Sequence, residues 1–333
     1  MIFFPLLFFR VRGFKVHYIL ILIHRMDMKG SVETKHFRLA HISDLHFSQL
    51  SWNPTQFLSK RWIGNANLLL RRMREIQHDK VYRLLDHFKK EDVNYVLISG
   101  DLSTTSLPCE FAKASEFLTK LKSMGIEVIT LPGNHDHYTK KDYVNKTFYQ
   151  YFDASFGKED CSFAHYNLKD HKLAVKKLDL DWWMIALDTA IATPLLSCHG
   201  NFTTEIASNL RKVLNELPED SKVLLANHFP LFTSDHLHKH LIGDAALRDL
   251  LHEFPKVKFY LHGHTHRHCI ADLRNAGLPI LLDSGCTAHE EKGTWNLLDF
   301  SESTCSVKPY RWSSIDKGAW DWNEKNPTSF EFS

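Results

Sequence analysis

From His36 onward, short apolar runs alternate with stretches of helical periodicity. Runs of about four to eight apolar residues bounded by turn residues read as buried strands, and apolar positions recurring every three or four residues read as amphipathic helices. The pattern predicts strands over 37–42, 95–99, 126–131, 183–187, 222–226, 258–262, 280–283 and 295–300. It predicts helices over 81–88, 111–124, 203–217 and 245–254. Gly125 closes the second helix, a common C-terminal stop. Strands alternating with helices indicate an α/β fold. No internal repeat or low-complexity linker interrupts the pattern, so residues 36–310 read as one domain.

Three segments break the pattern. The leader, residues 1–35, holds two apolar blocks split by Arg10, Arg12 and Lys15. Neither block reaches the roughly 20 apolar residues of a spanning helix, and no small-residue cleavage site follows. Two readings stand: a segment lying on an anionic membrane surface, or a start at Met26 or Met28. The insertion, residues 51–80, mixes Trp52, Trp62 and Leu68–Leu70 with Lys60, Arg61, Arg71, Arg72 and Arg74. The tail, residues 311–333, carries Trp312, Trp320, Trp322, Phe330 and Phe332, read as packing on the domain surface.

Composition narrows the function. A formal net charge of +2 gives no bulk electrostatic case for a nucleic-acid partner. Six cysteines without a CxxC pair argue against a zinc knuckle and for reduced thiols in a cytoplasmic compartment. The 22 histidines matter because several cluster.

The clusters follow strands. Asp44 and His46 follow the first, Gly100-Asp101 the second, and Gly133-Asn134-His135-Asp136 the third. Asn227-His228 and Gly263-His264-Thr265-His266 follow two later ones. Ligands in open α/β folds gather at the carboxyl ends of strands. Residues i and i+2 leaving an extended strand point the same way, so Asp44 with His46, and His264 with His266, are each expected to grip a cation. Asp101 has two oxygens and can bridge two cations. Mixed nitrogen and oxygen donors suit Mn, Fe or Zn. His137 is read as a solvent-facing loop residue.

DxH, GD, GNHD, a lone His and GHxH, in this order, resemble the calcineurin-like metallophosphoesterases. The resemblance runs from about Phe37 to Gly285. It implies a four-layer αββα sandwich of two mixed sheets and two divalent ions, expected to be Mn²⁺ with Fe or Zn as alternatives. It implies Asp44, His46, Asp101 and His266 on one ion, and Asp101, Asn134, His228 and His264 on the other. It implies that His135 faces the substrate and that Asp136 orients it. The implied reaction is in-line attack of a hydroxide on phosphorus.

GDLSTTS and PGNHDHY lack the arginines of the Ser/Thr protein phosphatase patterns. Within the family the chain is similar to LpxG-type UDP-2,3-diacylglucosamine pyrophosphatases of lipid A biosynthesis. That resemblance implies a lipid-linked nucleotide substrate, with Asn65, Arg71, Arg72 and Arg74 as candidate contacts, and a place on the cytoplasmic face of the inner membrane. The alternatives are a cyclic-nucleotide or general phosphodiesterase, or a non-catalytic metal-binding scaffold on a membrane.

Overall fold

The strands that read as unbroken apolar runs do so because both of their faces are covered. In β1 (Phe37–Ile42), Phe37 and Leu39 face one core, while Ala40 and Ile42 face another. In β5 (Trp182–Leu187), Trp182, Met184 and Ala186 share the first of these cores, and Trp183, Ile185 and Leu187 enter a third. Side chains alternate across a strand, so three cores mean three interlayer spaces. This is the four-layer αββα sandwich, seen here in a computed structural model. The structure describes residues 35–49, 76, 78–156, 162–194, 197–233, 239–316 and 319–332. His36–Ser333 forms one unit.

The first sheet contains β1, β2 (Tyr95–Ile98), β3 (Glu127–Thr130), β12 (Thr294–Phe300), β13 (Thr304–Asp316), β14 (Ala319–Glu324) and β15 (Thr328–Glu331). Its order is β14-β13-β12-β1-β2-β3, with β15 also on β13. The second sheet contains β4 (Leu173–Lys177), β5, β7 (Lys222–Ala226), β9 (Val257–His262), β10 (His268–Asp272) and β11 (Ile280–Ser284). Its order is β10-β11-β9-β7-β5-β4. Both are mixed: β1, β2 and β3 run parallel, as do β5, β7, β9 and β11, and antiparallel strands flank them. A two-stranded ladder joins β6 (Gly200–Asn201) to β8 (Leu241–Ile242).

Helices α1 (His78–Lys90) and α2 (Pro108–Ser123) cover the outer face of the first sheet through Val81, Leu84, Phe88, Phe111 and Phe117. Helices α5 (Thr204–Glu216) and α6 (Asp244–Glu253) cover the second through Ile206, Leu210, Leu247 and Leu250. Two short helices, α3 (Lys140–Val144) and α4 (Leu168–His171), lie between β3 and β4. The boundary read at residue 310 falls inside β13, and the tail continues the first sheet as β14 and β15. Trp312, Trp322, Phe330 and Phe332 are buried, and Trp320 is exposed.

Between the sheets, Trp182 packs against Phe300 at 4.6 Å and Phe332 at 5.4 Å between ring centroids. Trp182→Ala is expected to lower the unfolding free energy by about 3–5 kcal/mol. Trp182→Phe should lower it less, because the indole N–H already lacks a hydrogen-bond partner. Urea unfolding measures both.

At the start of α2, Glu110 folds back to accept from the backbone N–H of Thr105 and Leu107, at 2.8 and 3.1 Å. Burial outweighs these bonds and pushes its pKa up to about 7. A carboxyl raised in the folded state contributes stability below its unfolded pKa and loses it as pH climbs through the folded one. Glu110→Gln is therefore expected to match the native chain near pH 4 and to exceed its stability near pH 8. Melting curves across that range test the sign.

Candidate metal centre

The polar clusters do meet at one edge, but not by continuing their strands. Asp44, His46, Asp101, His264 and His266 all have positive φ, between 46° and 68°. The expectation that i and i+2 leave the strand extended is thus wrong: each pair sits in left-handed backbone, a region costly for residues with a Cβ. The loops after β1 and β2 are laced together instead. Asp44 N donates to Gly100 O at 3.1 Å, His46 N to Asp101 O at 2.9 Å, and Phe47 N to Leu102 O at 2.8 Å. Gly100 itself has φ 104°, and a side chain there would overlap the His228 ring.

Two donor clusters result. In the first, Asp44 Oδ1 is 3.0 Å from His266 Nε2 and 3.7 Å from His46 Nε2. The two histidine Nε2 atoms are 3.3 Å apart. In the second, His228 Nε2 is 3.3 Å from Asn134 Oδ1, 3.2 Å from His264 Nδ1 and 3.5 Å from Asp101 Oδ2. Asp101 Oδ2 is also 3.8 Å from His46 Nε2, so one oxygen faces both clusters. The structure therefore brings together all seven residues expected to hold metal.

The donor set fits divalent cations. Asp44 Oδ2 accepts from Ser43 Oγ and His264 N, and the buried Asp44 Oδ1 is turned to the Nε2 atoms of His266 and His46. His228 Nδ1 lies 2.8 Å from Ser99 O. In the neutral ring, donation there leaves the Nε2 lone pair turned toward Asn134 Oδ1, Asp101 Oδ2 and His264 Nδ1. A single proton can serve only one of them; a cation can serve all.

Charge agrees. Burial opposes ionisation of Asp44 and Asp101, yet the neighbouring histidines hold both below the ordinary carboxylate range: His266 first for Asp44, His228 first for Asp101. Burial likewise opposes charge on His228, but Asp101 and Asp44 outweigh it and push its pKa up to about 9. Burial and the His228 charge keep His264 neutral.

His135 offers a ring nitrogen within 4.8 Å of donor atoms of His46 and Asp101. Its Nδ1 lies 2.6 Å from Thr104 O. The expectation that Asp136 orients this ring is corrected: the Thr104 carbonyl holds it. Asp136 pins the loops instead, accepting from Leu102 N, Ser103 N, Ser103 Oγ and Gly133 N at 2.8–3.1 Å. Burial and the Asp101 charge push its pKa up to about 6.

His137 is corrected too. It is 1% exposed, among the Tyr143, Phe148 and Tyr149 rings, with Asp188 Oδ2 at 3.7 Å. Asp188 also accepts from Lys172 Nζ and Tyr149 OH, both at 2.6 Å. The sequence carried a signal for this group: Asp188 directly follows the apolar run of β5, the same placement as the other acids. The candidate substrate residues Asn65, Arg71, Arg72 and Arg74 lie outside the described residues, as do residues 1–34 of the leader.

A family model described as calcineurin-like phosphoesterase matches residues 37–268. Among curated proteins, the DNA double-strand break repair protein Mre11 of Methanopyrus kandleri is 28% identical over 110 residues. That match covers 32% of this chain and 21% of the relative, so the aligned part spans about a fifth of that protein's length. Among solved structures, a dimetal phosphatase from Danio rerio has a TM-score of 0.62 at 13% identity, covering 89% of this chain and 99% of that one. A purple acid phosphatase from yellow lupin has 0.57 at 13% identity, covering 90% and 54%. PhoD has 0.54 at 9% identity, covering 89% and 70%. At such identities these likenesses concern the fold. The family match extends over most of the chain and over every strand end that carries a donor of the two clusters, and on it the chain belongs to the calcineurin-like phosphoesterase family.

Proposed function

We propose that this metal-dependent phosphohydrolase works with two divalent ions, the first held by Asp44, His46, Asp101 and His266 and the second by Asp101, Asn134, His228 and His264. The observation that carries this reading is the shared oxygen, Asp101 Oδ2, within 3.8 Å of His46 Nε2 and 3.5 Å of His228 Nε2. Bound ions of this kind polarise phosphoryl oxygens and make a water nucleophile available at neutral pH. The protein's own groups set the rest. Two carboxylates among neutral donors leave the loaded cleft positive, so it draws in an anion. His135, fixed through Nδ1 on the Thr104 carbonyl, turns its other nitrogen to the substrate side. Protonated there, it donates to a phosphoryl oxygen or to the leaving oxygen.

The substrate we favour is a nucleotide-linked pyrophosphate carrying acyl chains, namely UDP-2,3-diacylglucosamine, cleaved to lipid X and UMP. Support comes from the sequence beside the site: the apolar and basic residues of 51–80 directly follow Asp44 and His46. The leader, with its apolar and basic mixture, suits peripheral contact with an anionic membrane on the cytoplasmic face. No described helix is long and apolar enough to cross a membrane. A cyclic-nucleotide or general phosphodiesterase would share the same donor set. Mn²⁺ is the ion expected from the family resemblance.

Two experiments bear on this reading. His135→Ala is expected to lose about 10²–10⁴-fold in kcat while retaining two equivalents of metal. Asp101→Ala should lose more activity and bind less metal, because both ions share its oxygen. Elemental analysis beside a nitrophenyl-phosphodiester assay reads both, and full metal content in Asp101→Ala would refute the shared ligand. In a substrate panel, detergent-dependent release of UMP from UDP-2,3-diacylglucosamine is expected, with no turnover of cyclic nucleotides. The opposite ranking would remove the lipid-linked assignment and leave the hydrolase.

A further inference from the structure

The loop after β11 brings a sulfur atom to the first donor cluster. Gly285, at φ 70°, turns the chain out of the strand, and Cys286 follows, 1% exposed. Its Sγ lies 3.3 Å from the Asp44 carbonyl, a hydrogen bond that holds the thiol against the backbone of the DxH loop. Cys286 Sγ, a ring nitrogen of His46 and a ring nitrogen of His266 all lie within 4.8 Å of one another. Donors about 2.1–2.3 Å from one ion are separated by up to about 4.4 Å, so little movement is needed for all three to share one.

We propose that Cys286 is a sulfur donor to the ion in the first site, beside Asp44, His46, Asp101 and His266. The proposal rests on the dinuclear reading above and adds to it a ligand of different chemistry.

Two neighbouring features favour it. Asp44 Oδ1, on the DxH loop that the thiol touches, is wholly buried and faces His266 Nε2 at 3.0 Å, so a carboxylate oxygen stands beside the same histidine. Lys80 at the start of α1 is also 1% exposed, and its ammonium has no hydrogen-bond partner, with the Trp312 ring centroid 5.6 Å away. Burial lowers the Lys80 pKa to about 8, and Cys286 is the first of the groups that oppose this. The buried ammonium is thus close enough to Cys286 for the two to interact electrostatically. On ligation the S–H proton passes to solvent, a sulfur lone pair forms the bond to the ion, and a water leaves the ion. Thiolate is a softer donor than carboxylate or imidazole, so the first site would prefer Zn²⁺, Co²⁺ or Fe²⁺ to Mn²⁺.

Cobalt(II) is the probe. The full chain, loaded with two equivalents of Co²⁺, is expected to show near-ultraviolet sulfur-to-cobalt charge-transfer absorption. Cys286→Ser and Cys286→Ala should both lose that band while still taking up cobalt, and their preference for Zn²⁺ over Mn²⁺ in competition dialysis should narrow. Serine can keep a hydrogen bond to the Asp44 carbonyl, so an unchanged melting temperature in that variant separates ligand loss from misfolding. Identical spectra for the native chain and a folded Cys286→Ser, each carrying two cobalt ions, would overturn the proposal and leave the dinuclear reading intact. Failure of the native chain to bind cobalt would overturn both.

Discussion

One carboxylate oxygen, Asp101 Oδ2, lies between a histidine of the first sheet's loops and a histidine of the second's. His46 follows β1, and His228 follows β7, so this oxygen links the carboxyl edges of two sheets whose facing surfaces meet largely through apolar side chains. For that contact to form, the sheets must be stacked in a fixed register. The alternation of faces sets the register: Phe37, Leu39 and Leu97 from one sheet meet Trp182, Met184, Leu224 and Phe259 from the other. A strand slipped by one residue would turn its own members of this set to the opposite face of the sheet. The geometry of the metal centre thus depends on the packing of a core beneath it that contains no catalytic group.

The same edge holds backbone strain. Five of the seven donor residues adopt positive φ without being glycine, a conformation costing on the order of 1–3 kcal/mol each at functional sites. Some of that cost falls on aspartates, which tolerate this region better than most residues. The rest falls on three histidines, a residue type that is also enriched at positive φ. The lacing of the β1 and β2 loops, and Asp136 with its four donors, hold the strained loops in place. With left-handed backbone at Asp44 and His46, both side chains face the cleft, Asp44 Oδ1 toward His266 and His46 Nε2 toward Asp101.

The central strands were legible because burial on both faces leaves nothing but apolar residues in them; Trp182–Leu187 and Lys222–Ala226 fall within one residue of their expected limits. Of the flanking strands, β12 was legible too, but three others were not. β4 ends in Lys176-Lys177, β10 is half-exposed along its length, and β13 alternates, so none forms an apolar run. The donor residues were legible as a set because Asp, Asn and His recur after five strands. Their conformation was not, since nothing in DLH or HTH announces positive φ. The partner of His135 could not be read either: a backbone carbonyl belongs to every residue, so Thr104 leaves no mark in the sequence. Pro108 did leave one. Proline favours the first turn of a helix, and α2 begins there, three residues before its apolar periodicity becomes visible.

Electrostatics connects the strain to the chemistry. With protein groups alone, the cleft holds two acids below their ordinary range and balances them by pushing His228 up to about 9. That proton occupies the nitrogen on which Asn134, His264 and Asp101 converge. A cation held there by His228, Asn134, His264 and Asp101 would take the place of that proton and bring two positive charges instead of one. Proton and metal therefore compete for the same lone pair. Acid favours the proton, and neutral His264, kept so by burial and by the His228 charge, stays available as a ligand on either side of the exchange. With two divalent ions held as proposed, the cleft would carry surplus positive charge, which a phosphate would answer.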